Sequence, residues 1–522
     1  MSQANENAAL YFVDRHASSD YADKPAFVEV DGAQRHLTYG ALAQSSGCVA
    51  AALAQNGIHR EERALLLLLD QIEFPQVFWG CLKAGVVAVP VNTLLATDVY
   101  DSILRDSRAS CLFVSAALLP VVAPLLKDAP FLRKIVVVGD ATFDSAPDST
   151  PDGTTLFTDF IAGCAPSDAI QVSSDEVGFW LYSSGSTGVP KGVCHVHSSL
   201  KATCDTYGAQ VLQIRPDDVV YSVAKMFFAY GLGNAMSFPL SVGATTLLFS
   251  GRPTPAGVVA ILEQNDPTIF CGVPTLYAAT IAHLEATGDM PMTRLRLSIS
   301  AGEALPEYVG TYWKHLMGVD ILDGVGSTEM LHIFLSNRPD DVVYGTSGTP
   351  VPGYQARLVD DAGQEVAIGD VGELAVRGDS AANGYWNQRA KSRVTFEGEW
   401  TRTGDKYEMT DGGRYIYCGR TDDMFKVSGI WVSPFEVEQA LSAHPDILEA
   451  AVVAARDDMG LEKPKAFVVL KSDVASEDFA EELKHHVKEK IGKWKYPRWI
   501  EFVPDLPKTA TGKIQRFKLR ND

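Results

Sequence analysis

Residues 183–192 read Ser-Ser-Gly-Ser-Thr-Gly-Val-Pro-Lys-Gly, and they directly follow the apolar run 177–182. The run is short, aromatic and uncharged, which predicts a buried strand that ends where the loop begins. Glycines let a loop turn tightly with its N–H groups pointing inward, hydroxyls add donors, and Lys191 adds positive charge. The stretch therefore predicts a strand followed by a polyphosphate-binding loop.

The spacing differs from that of a Walker phosphate loop, which has glycine directly before its lysine and serine or threonine after it. Here Pro190 precedes Lys191 and Gly192 follows it, so classical P-loop kinase chemistry is disfavoured. A flexible Gly/Ser linker is the alternative interpretation. Linkers rarely follow a buried strand and end in Pro-Lys-Gly, so a binding loop is favoured.

Four further stretches accompany this loop in the order known from one family. They are Asp-Gly-Val-Gly-Ser-Thr-Glu at 323–329, Trp-Thr-Arg-Thr-Gly-Asp at 400–405, Gly-Arg-Thr-Asp-Asp at 419–423 and Pro-Lys-Thr-Ala-Thr-Gly-Lys at 507–513. Together they resemble the motifs of the adenylate-forming enzymes, which include acyl- and aryl-CoA ligases, luciferases and peptide-synthetase adenylation domains. The resemblance covers almost the whole chain.

Length and composition limit the possible classes of protein. A chain of 522 residues is too long for one hydrophobic core, and 46% hydrophobic with 21% charged residues indicates a folded, soluble protein. The net charge of −20 disfavours nucleic acid as a partner. Residues 423–522 hold 16 basic and 17 acidic residues, and a nearly neutral C-terminal part is easier to bring against an anionic nucleotide and CoA.

The eight cysteines are scattered without Cys-x-x-Cys spacing, which indicates reduced thiols of a cytoplasmic protein rather than disulfides or a zinc site. The N-terminus lacks the basic start and apolar core of a signal peptide. The longest aliphatic run, 64–69, is too short to span a bilayer. We therefore expect no membrane-spanning segment. The expected oligomeric state is a monomer or a homodimer.

Up to about residue 350, short apolar runs alternate with helix-like segments, which predicts an α/β fold with largely parallel sheets. The predicted strands are 63–69, 86–91, 111–114, 134–138, 219–223, 245–249, 268–271 and 297–300, and the predicted helices include 39–55 and 256–263.

After about residue 350 the pattern changes. Strands at 354–359, 371–378 and 414–418 predict a small β-barrel-like unit, and beyond 423 the pattern is β, α, β, β, α. Ser433 is a predicted N-cap, with Pro434 at the first helical position and Glu436 closing a capping box. The multidomain prediction is an N-terminal AMP- and acyl-binding domain of stacked α/β sheets over 1–421, including the β unit at about 350–421. A mobile α+β C-terminal domain follows over 422–522.

A carboxylate is activated by transfer of AMP from ATP, a step that brings it against a polyanion and so needs positive charge and a metal. The resemblance implies that Lys513 contacts the carboxylate and α-phosphate, and the alternative is one more exposed lysine in a basic tail. The resemblance also implies that Glu329 is the Mg²⁺ ligand and that Thr328 donates a hydrogen bond to the α-phosphate. The alternative for this pair is a helix cap.

The resemblance also implies the nucleotide contacts. Asp323 would accept a hydrogen bond from the adenine amino group. Asp405 would chelate the ribose hydroxyls beside Arg420, and the alternative for these two residues is a surface ion pair. Val325 stands where the family often has an aromatic residue, so adenine packing there should be aliphatic. The expected ATP- and AMP-binding residues are Ser183, Ser184, Gly185, Ser186, Thr187, Gly188, Lys191, Gly302, Glu303, Ala304, Asp323, Gly324, Asp405, Arg420 and Lys513.

Asp422 matches the family's hinge, where a backbone change rotates the last hundred or so residues. In the family this rotation exchanges the Lys513 loop for a thioester-forming face. Gly429 would line the CoA path, and Lys426 could meet CoA or the acyl group, although an exposed strand lysine fits equally well. Relatives also imply regulation at Lys513 by a lysine acetyltransferase and a deacetylase, because acetylation removes the charge.

Residues 225–234 and 330–334 predict the acyl pocket, because their aromatic side chains would restrict a long alkyl chain and suit a flat ring. His332 could donate to the substrate carboxylate, or be a helix-face histidine. These two stretches resemble benzoate-type CoA ligases, so benzoate is the expected acid, and hydroxy- or halobenzoate the next option. The expected acyl-binding residues are Phe228, Ala229, Tyr230, Gly231, Gly326, His332 and Ile333.

His195 and His197 superficially resemble a metal cluster, since alternation would place both on one face of a strand. No further ligand is near in sequence, so a structural role is favoured. Two other functions stay open: an enzyme that loads a separate carrier protein, and a nucleotide-sensing protein without chemistry. Retention of Lys513, Glu329 and Asp405 together argues against the second.

Overall fold

A computed structural model gives the fold and describes residues 5–139, 154–184, 190–288, 290–421, 423–427, 430–457, 460–471, 475–508 and 514–520. The chain forms two compact units, and each is described by itself. The large unit comprises Met1–Tyr344, Pro350–Gln355 and Val376–Thr401, and the small unit comprises Gly345–Thr349, Ala356–Ala375 and Arg402–Asp522. This grouping places most of the small β unit with the C-terminal part, whereas the sequence analysis placed it with the N-terminal domain. The predicted hinge, Asp422, lies outside the described residues.

The strands follow one another along the chain as β1 Pro25–Glu29, β2 His36–Thr38, β3 Arg63–Leu67, β4 Val87–Pro90, β5 Cys111–Ser115, β6 Lys134–Val138, β7 Thr154–Leu156, β8 Val177–Ser184, β9 Pro190–Val196, β10 Val219–Ser222, β11 Thr245–Leu248, β12 Ile269–Gly272, β13 Leu297–Ser300, β14 Ile321–Gly326, β15 Ile333–Ser336, β16 Thr349–Pro350, β17 Gln355–Val359, β18 Val371–Arg377, β19 Gly384–Tyr385, β20 Phe396–Glu397, β21 Trp400–Met409, β22 Tyr415–Arg420, β23 Phe425–Val427, β24 Ile430–Val432, β25 Ile447–Arg456, β26 Glu462–Leu470 and β27 Trp499–Phe502.

The α-helices are α1 Arg15–Ala17, α2 Tyr39–Gln55, α3 Glu73–Ala84, α4 Thr97–Ser107, α5 Leu119–Leu126, α6 Phe157–Ile161, α7 His197–Thr203, α8 Ala229–Leu232, α9 Phe238–Val242, α10 Pro255–Asn265, α11 Pro274–Thr287, α12 Glu307–Met317, α13 Arg389–Thr395, α14 Pro434–Ser442, α15 Glu477–Ile491 and α16 Arg516–Leu519. Short π-helical segments cover Leu10–Asp14, Cys204–Val211 and Gly233–Ser237, and a 3₁₀ turn covers Ala116–Leu118.

One sheet of the large unit has the order β19-β9-β8-β4-β3-β5-β6-β7. Its central strands β8, β4, β3, β5 and β6 are parallel neighbours, and β9 returns antiparallel to β8. The predicted strands from 63 to 138 are confirmed as β3 to β6. They are buried because their apolar side chains pack against α4 and α5, as Leu112 and Ile103 do.

The second sheet of the large unit has the order β16-β15-β14-β13-β12-β10-β11-β1-β2. Five neighbouring strands are parallel, namely β11, β10, β12, β13 and β14. The four strands predicted between residues 219 and 300 are confirmed as β10, β11, β12 and β13. Trp313 of α12 and Tyr277 of α11 pack on Phe270 of β12, at ring-centroid distances of 5.8 and 5.3 Å. The predicted α/β class with largely parallel sheets is therefore confirmed.

In the small unit, β25, β26 and β27 form a sheet with α14 and α15 on one face. Side chains alternate along β25, so Val452 packs with the helices whereas Val453 packs with Leu506 and Leu519 on the other face. Strands β21 and β27 were not predicted from the sequence, and the single strand that the pattern predicts before α14 is the pair β23 and β24.

Ser433 is the N-cap of α14 as predicted, and its hydroxyl accepts the Glu436 N–H at 3.2 Å. The predicted capping box is wrong in its second half, because the Glu436 carboxylate accepts from Lys495 Nζ at 2.6 and 2.7 Å. A cation satisfies this carboxylate better than a neutral N–H does.

The buried face of α15 predicts a local stability effect. Leu483→Ala should destabilise the β25–β27 sheet by about 2–5 kcal/mol, because it leaves a cavity where Leu483 is fully buried. Hydrogen exchange of amides in β25 and β26 is the measurement, since it reports this region separately. Leu448→Ala, which removes a side chain that is 55% exposed, is the control. Equal acceleration of exchange by both variants would contradict the assigned core.

Candidate active site

Three predicted site segments follow the carboxyl ends of parallel strands in the second sheet of the large unit. The predicted acyl stretch 225–234 comes after β10, the predicted adenine contacts 302–304 come after β13, and residues 327–329 follow β14. These strands are close in the sheet order β14-β13-β12-β10, and the register places Ser300 beside Asp323. Ligands of α/β sheets bind at the carboxyl ends of strands, so the segments meet where a ligand is expected.

The predicted adenine-binding residues lie at this edge. Gly302, followed by Glu303 and Ala304, has a φ of +97°, which favours glycine. Asp323, at 5% exposure, accepts the Leu305 N–H at 3.4 Å. Burial raises the pKa of Asp323 to about 8, so this carboxyl is mostly protonated at neutral pH.

The segment 327–332 is the tight loop of an antiparallel hairpin formed by β14 and β15. Ser327 Oγ accepts the Met330 N–H at 3.1 Å, and Leu331 has a φ of +65°. A Cβ at Gly326 would lie 2.5 Å from the His332 carbonyl oxygen, so only glycine fits there. The helical alternatives for Glu329 and His332 are therefore wrong, because no helix begins in this loop.

The strand predicted before the phosphate loop is confirmed as β8. In the β8–β9 pair, Ser183 lies opposite Lys191 and Ser184 opposite Pro190. The described residues on either side of 185–189 are therefore paired antiparallel strands. Residues 185–189, with the predicted Gly185, Ser186, Thr187 and Gly188, lie outside the described residues, as does the side chain of Ser184.

Glu329 and Lys191 lie close together, with Glu329 Oε1 3.8 Å from Lys191 Nζ and side chains that are 16% and 17% exposed. Glu329 Oε1 also accepts from the Tyr385 hydroxyl at 2.8 Å. Sequence reasoning missed Tyr385, because Gly-Tyr-Trp at 384–386 carries no chemical signal of its own. A carboxylate and a cation next to a Gly/Ser hairpin are groups suited to a metal–polyphosphate complex.

His195 has the structural role that the sequence analysis favoured. Burial lowers its pKa to about 4, so the ring is neutral, and its Nε2 donates to the Thr328 carbonyl at 2.8 Å. The expectation that His195 and His197 share a strand face is wrong, because β9 ends at Val196. His197 begins α7, and its Nδ1 accepts the Ala8 N–H at 3.2 Å. Over the described part of the chain, no three His, Cys, Asp or Glu residues are grouped to hold a metal.

Of the predicted acyl-binding residues, Tyr230, Gly326 and Ile333 lie beside His332. Phe228 precedes α8, which holds Ala229, Tyr230 and Gly231, and Ile333 begins β15. The Tyr230 hydroxyl donates to the Gly272 and Ile299 carbonyls, each at 3.2 Å, and the Tyr230 carbonyl lies 3.2 Å from His332 Nε2. The His332 ring lies 4.6 Å from the Phe238 ring.

Burial lowers the pKa of His332 to about 3, so its imidazole is neutral. With Nε2–H donating to Tyr230, Nδ1 is an acceptor and cannot donate to a carboxylate. The expected bond from His332 to the substrate carboxylate therefore requires the Tyr230 bond to be given up.

Asp70 is a second residue that sequence reasoning missed. It is buried beyond β3, and its carboxylate accepts the Met226 N–H at 3.2 Å, which fixes the start of the acyl segment. Burial raises the pKa of Asp70 to about 6, and Lys225 opposes this shift. The signal in the sequence was a lone aspartate at the end of the apolar run 63–69.

In the small unit, Asp405 of β21 lies opposite Arg420 of β22. Arg420 Nη1 donates to Asp405 Oδ1 and to the Thr403 carbonyl, both at 3.1 Å. The two predicted ribose ligands thus form an ion pair, with Arg420 44% and Asp405 14% exposed.

The catalytic-lysine segment is described only at its two ends. Lys508 bridges Ile514, and the Gln515 N–H donates to the Pro507 carbonyl at 2.8 Å. Lys513 lies outside the described residues, as do Asp422 and Gly429. Lys426 is in β23, but its side chain lies outside the described residues.

All eight cysteines are free thiols, in agreement with the predicted absence of disulfides. Across the described ranges, the helices are too short or too polar to cross a bilayer.

Comparisons with known proteins agree with this geometry. Residues 13–386 match the AMP-binding enzyme family and residues 436–513 match the AMP-binding enzyme C-terminal domain. The chain therefore belongs to the AMP-binding enzyme family, whose members form adenylates, as the motifs predicted.

Individual relatives are similar over nearly their whole length. The chain is 51% identical to a 4-hydroxybenzoate–CoA/benzoate–CoA ligase of Rhodopseudomonas palustris, over 98% of this chain and 94% of the relative. It is 51% identical to a benzoate–CoA ligase of Thauera aromatica, over 99% and 96%. The crystal structure of a benzoate CoA ligase from Burkholderia xenovorans is 46% identical, covers 99% of this chain and 100% of its own, and has a TM-score of 0.88.

The raised pKa of Asp323 predicts pH-dependent adenosine binding. An adenine amino group donates better to a carboxylate than to a carboxylic acid. Adenosine should therefore bind up to about tenfold more tightly at pH 9 than at pH 7, as the carboxyl ionises through its pKa of about 8. Calorimetry with adenosine, which lacks a titrating phosphate, measures this. Asp323→Asn should remove the pH dependence, and an equally steep dependence in that variant would refute the assignment.

Proposed function

We propose that the chain is an ATP-dependent, AMP-forming aryl-CoA ligase that converts benzoate, ATP and CoA to benzoyl-CoA, AMP and diphosphate. The observation that carries this proposal is the meeting of Glu329 with Lys191, 3.8 Å apart. Glu329 follows the carboxyl end of β14, beside the segments after β13 and β10. This arrangement supports the proposal, because it brings a carboxylate and a lysine together at the end of the sheet that also carries the predicted acyl segment.

The reaction has two steps. A benzoate oxygen attacks the α-phosphorus of ATP, the bond to the diphosphate oxygen breaks, and benzoyl-AMP and diphosphate form. The CoA sulfur, after losing its proton, then attacks the acyl carbon, and AMP leaves with the bonding electrons. In the first step two anions approach each other, so Lys191 contributes by offsetting phosphate charge.

Mg²⁺ fits the proposed site, because it prefers carboxylate and phosphate oxygens and Glu329 offers a carboxylate beside the phosphate hairpin. When bound, it would shield the triphosphate from the incoming carboxylate. Thr328, whose carbonyl is fixed by His195 at 2.8 Å, is proposed to donate its hydroxyl to the α-phosphate.

The remaining nucleotide contacts follow the motifs. Asp323, Gly324 and residues 302–304 are proposed to bind adenine. Asp405 and Arg420 are proposed to bind the ribose and phosphate. On binding, these two side chains would exchange part of their mutual ion pair for bonds to ligand hydroxyls.

Benzoate is supported by the aromatic surroundings of the acyl segment. The rings of Tyr230 and His332 lie 5.7 Å apart and those of Phe227 and Phe228 lie 4.5 Å apart, and such rings favour a flat ligand. The Thauera relative is named for benzoate. Hydroxybenzoate is the second candidate, because the Rhodopseudomonas relative is named for 4-hydroxybenzoate as well.

Several roles rest on the motifs alone. Lys513 is proposed to contact the carboxylate and α-phosphate, Asp422 to be the hinge between the half-reactions, and Gly429 and Lys426 to line the CoA path. Acetylation of Lys513 by an acetyltransferase would remove its charge and stop adenylation, and a deacetylase would restore it. A cytoplasmic monomer or homodimer fits the composition.

The substrate proposal is tested by diphosphate release. Benzoate should be activated with a kcat/KM at least about tenfold above that of octanoate, because the aromatic pocket restricts an alkyl chain. Hydroxybenzoates and cyclohexanecarboxylate complete the series. Comparable values for benzoate and octanoate would overturn the aryl specificity.

The same assay separates the ligase from a carrier-loading enzyme. With CoA present, a ligase should turn over continuously and release benzoyl-CoA. Release of one diphosphate per protein, unchanged by CoA, would favour transfer to a carrier protein.

A further inference from the structure

The Tyr385 side chain lies between the two charged groups of the proposed metal–phosphate site. Its hydroxyl donates to Glu329 Oε1 at 2.8 Å and lies 3.5 Å from Lys191 Nζ. Lys191 Nζ is also 4.5 Å from the centre of the Tyr385 ring. One side chain thus contacts both the carboxylate and the cation.

Backbone hydrogen bonds fix the position of Tyr385. Strand β19 pairs with β9, with Tyr385 opposite Val193. The Asn383 and Trp386 N–H groups donate to the Cys194 and Gly192 carbonyls, each at 2.8 Å. On the other side, the Ala382 N–H donates to the Glu329 carbonyl at 2.8 Å. The phenol is therefore held relative to both the phosphate hairpin and the Glu329 loop.

A glutamate beside a lysine in a largely buried site tends to pair with it, because Coulomb attraction grows as the effective dielectric constant falls. A closed pair would withdraw both groups from a ligand. A phenol O–H donating to a carboxylate is a charge-assisted bond, which is stronger than a neutral one. Tyr385 engages one oxygen of Glu329 and leaves the carboxylate a second oxygen for a cation.

We propose that Tyr385 is a positioning residue that holds the Glu329 carboxylate for a divalent cation and keeps it from closing onto Lys191. This inference rests on the proposed function, in which Glu329 binds the metal of Mg·ATP. It adds a residue outside the motifs quoted in the sequence analysis, and it assigns the hydroxyl, rather than the ring, as the part that matters.

The test measures Mn²⁺ binding to the full chain in the presence of a non-hydrolysable ATP analogue. The electron paramagnetic resonance signal of free Mn²⁺ reports how much of the metal stays unbound. Tyr385→Phe removes only the hydroxyl and keeps the ring contact with Phe396, whose centroid is 5.3 Å away. The Mn²⁺ Kd should rise about tenfold, the effect of one charge-assisted hydrogen bond. The Mg²⁺ concentration for half-maximal activity should rise in parallel, with the KM for benzoate unchanged.

Tyr344→Phe is the matched control. The Tyr344 hydroxyl donates to an Asp320 carboxylate oxygen at 2.7 Å in the same unit, so this variant also loses a phenol–carboxylate bond. Its Mn²⁺ Kd should equal that of the unaltered chain. An equal loss in both variants would mean that Tyr385 acts only through general stability, and would overturn the proposal.

Glu329→Gln separates this inference from the proposed function. If Glu329→Gln binds Mn²⁺ as tightly as the unaltered chain, the metal role of Glu329 fails, and the inference fails with it. If Glu329→Gln loses the site while Tyr385→Phe keeps full affinity, the proposed function stands and the inference alone is overturned.

A double-mutant comparison tests the restraint against Lys191 directly. In a Lys191→Met background the competing cation is gone, so Tyr385→Phe should weaken Mn²⁺ binding by much less than tenfold. An undiminished effect in that background would show that Tyr385 does not separate Lys191 from Glu329, which contradicts the proposal.

Discussion

The site depends on keeping a carboxylate and a lysine within 3.8 Å without letting them neutralise each other. Glu329 and Lys191 are both largely buried, and at this depth the Coulomb attraction between them is strong enough to compete with a ligand. In the proposed function a metal–polyphosphate complex uses both groups, one for the metal and one for phosphate. The surrounding structure therefore has to hold them apart while keeping them adjacent.

The two sheets of the large unit provide this arrangement. One contributes the β8–β9 hairpin with Lys191, and the other contributes the loop after β14 with Glu329. The loop is fixed to the hairpin by His195, which donates to the Thr328 carbonyl, and by the segment around Tyr385, which pairs with β9. A similar connection at the acyl segment is made by Asp70, beyond β3, which accepts the Met226 N–H.

Much of this fold could be predicted from local sequence. The apolar runs gave the parallel strands, because period and composition are local properties, and helix α2 was predicted with its observed bounds. The motifs were found because their residue types stand at short, fixed spacings. His197 was misplaced because the exact end of a strand is set by its neighbours, and α7 begins one residue after Val196.

What the sequence did not reveal are contacts between distant segments. Tyr385 lies 194 residues from Lys191 and 56 from Glu329, and Asp70 lies 156 residues from Met226. Nothing local marks such pairs, because they depend on which strands become neighbours in the sheets. The short strand β19 lacks any periodic pattern, and its place beside β9 is a property of the tertiary structure.

The most direct test of this account is a crystal of the full chain grown with Mn²⁺ and a non-hydrolysable ATP analogue, with data collected for Mn²⁺ anomalous scattering. The account predicts an anomalous peak within about 2.2 Å of a Glu329 carboxylate oxygen, a distance typical of small divalent cations with oxygen ligands, with the Tyr385 hydroxyl still bonded to that carboxylate and Lys191 on the phosphates. An anomalous peak away from Glu329, or Glu329 paired with Lys191 while nucleotide and metal are bound, would contradict it.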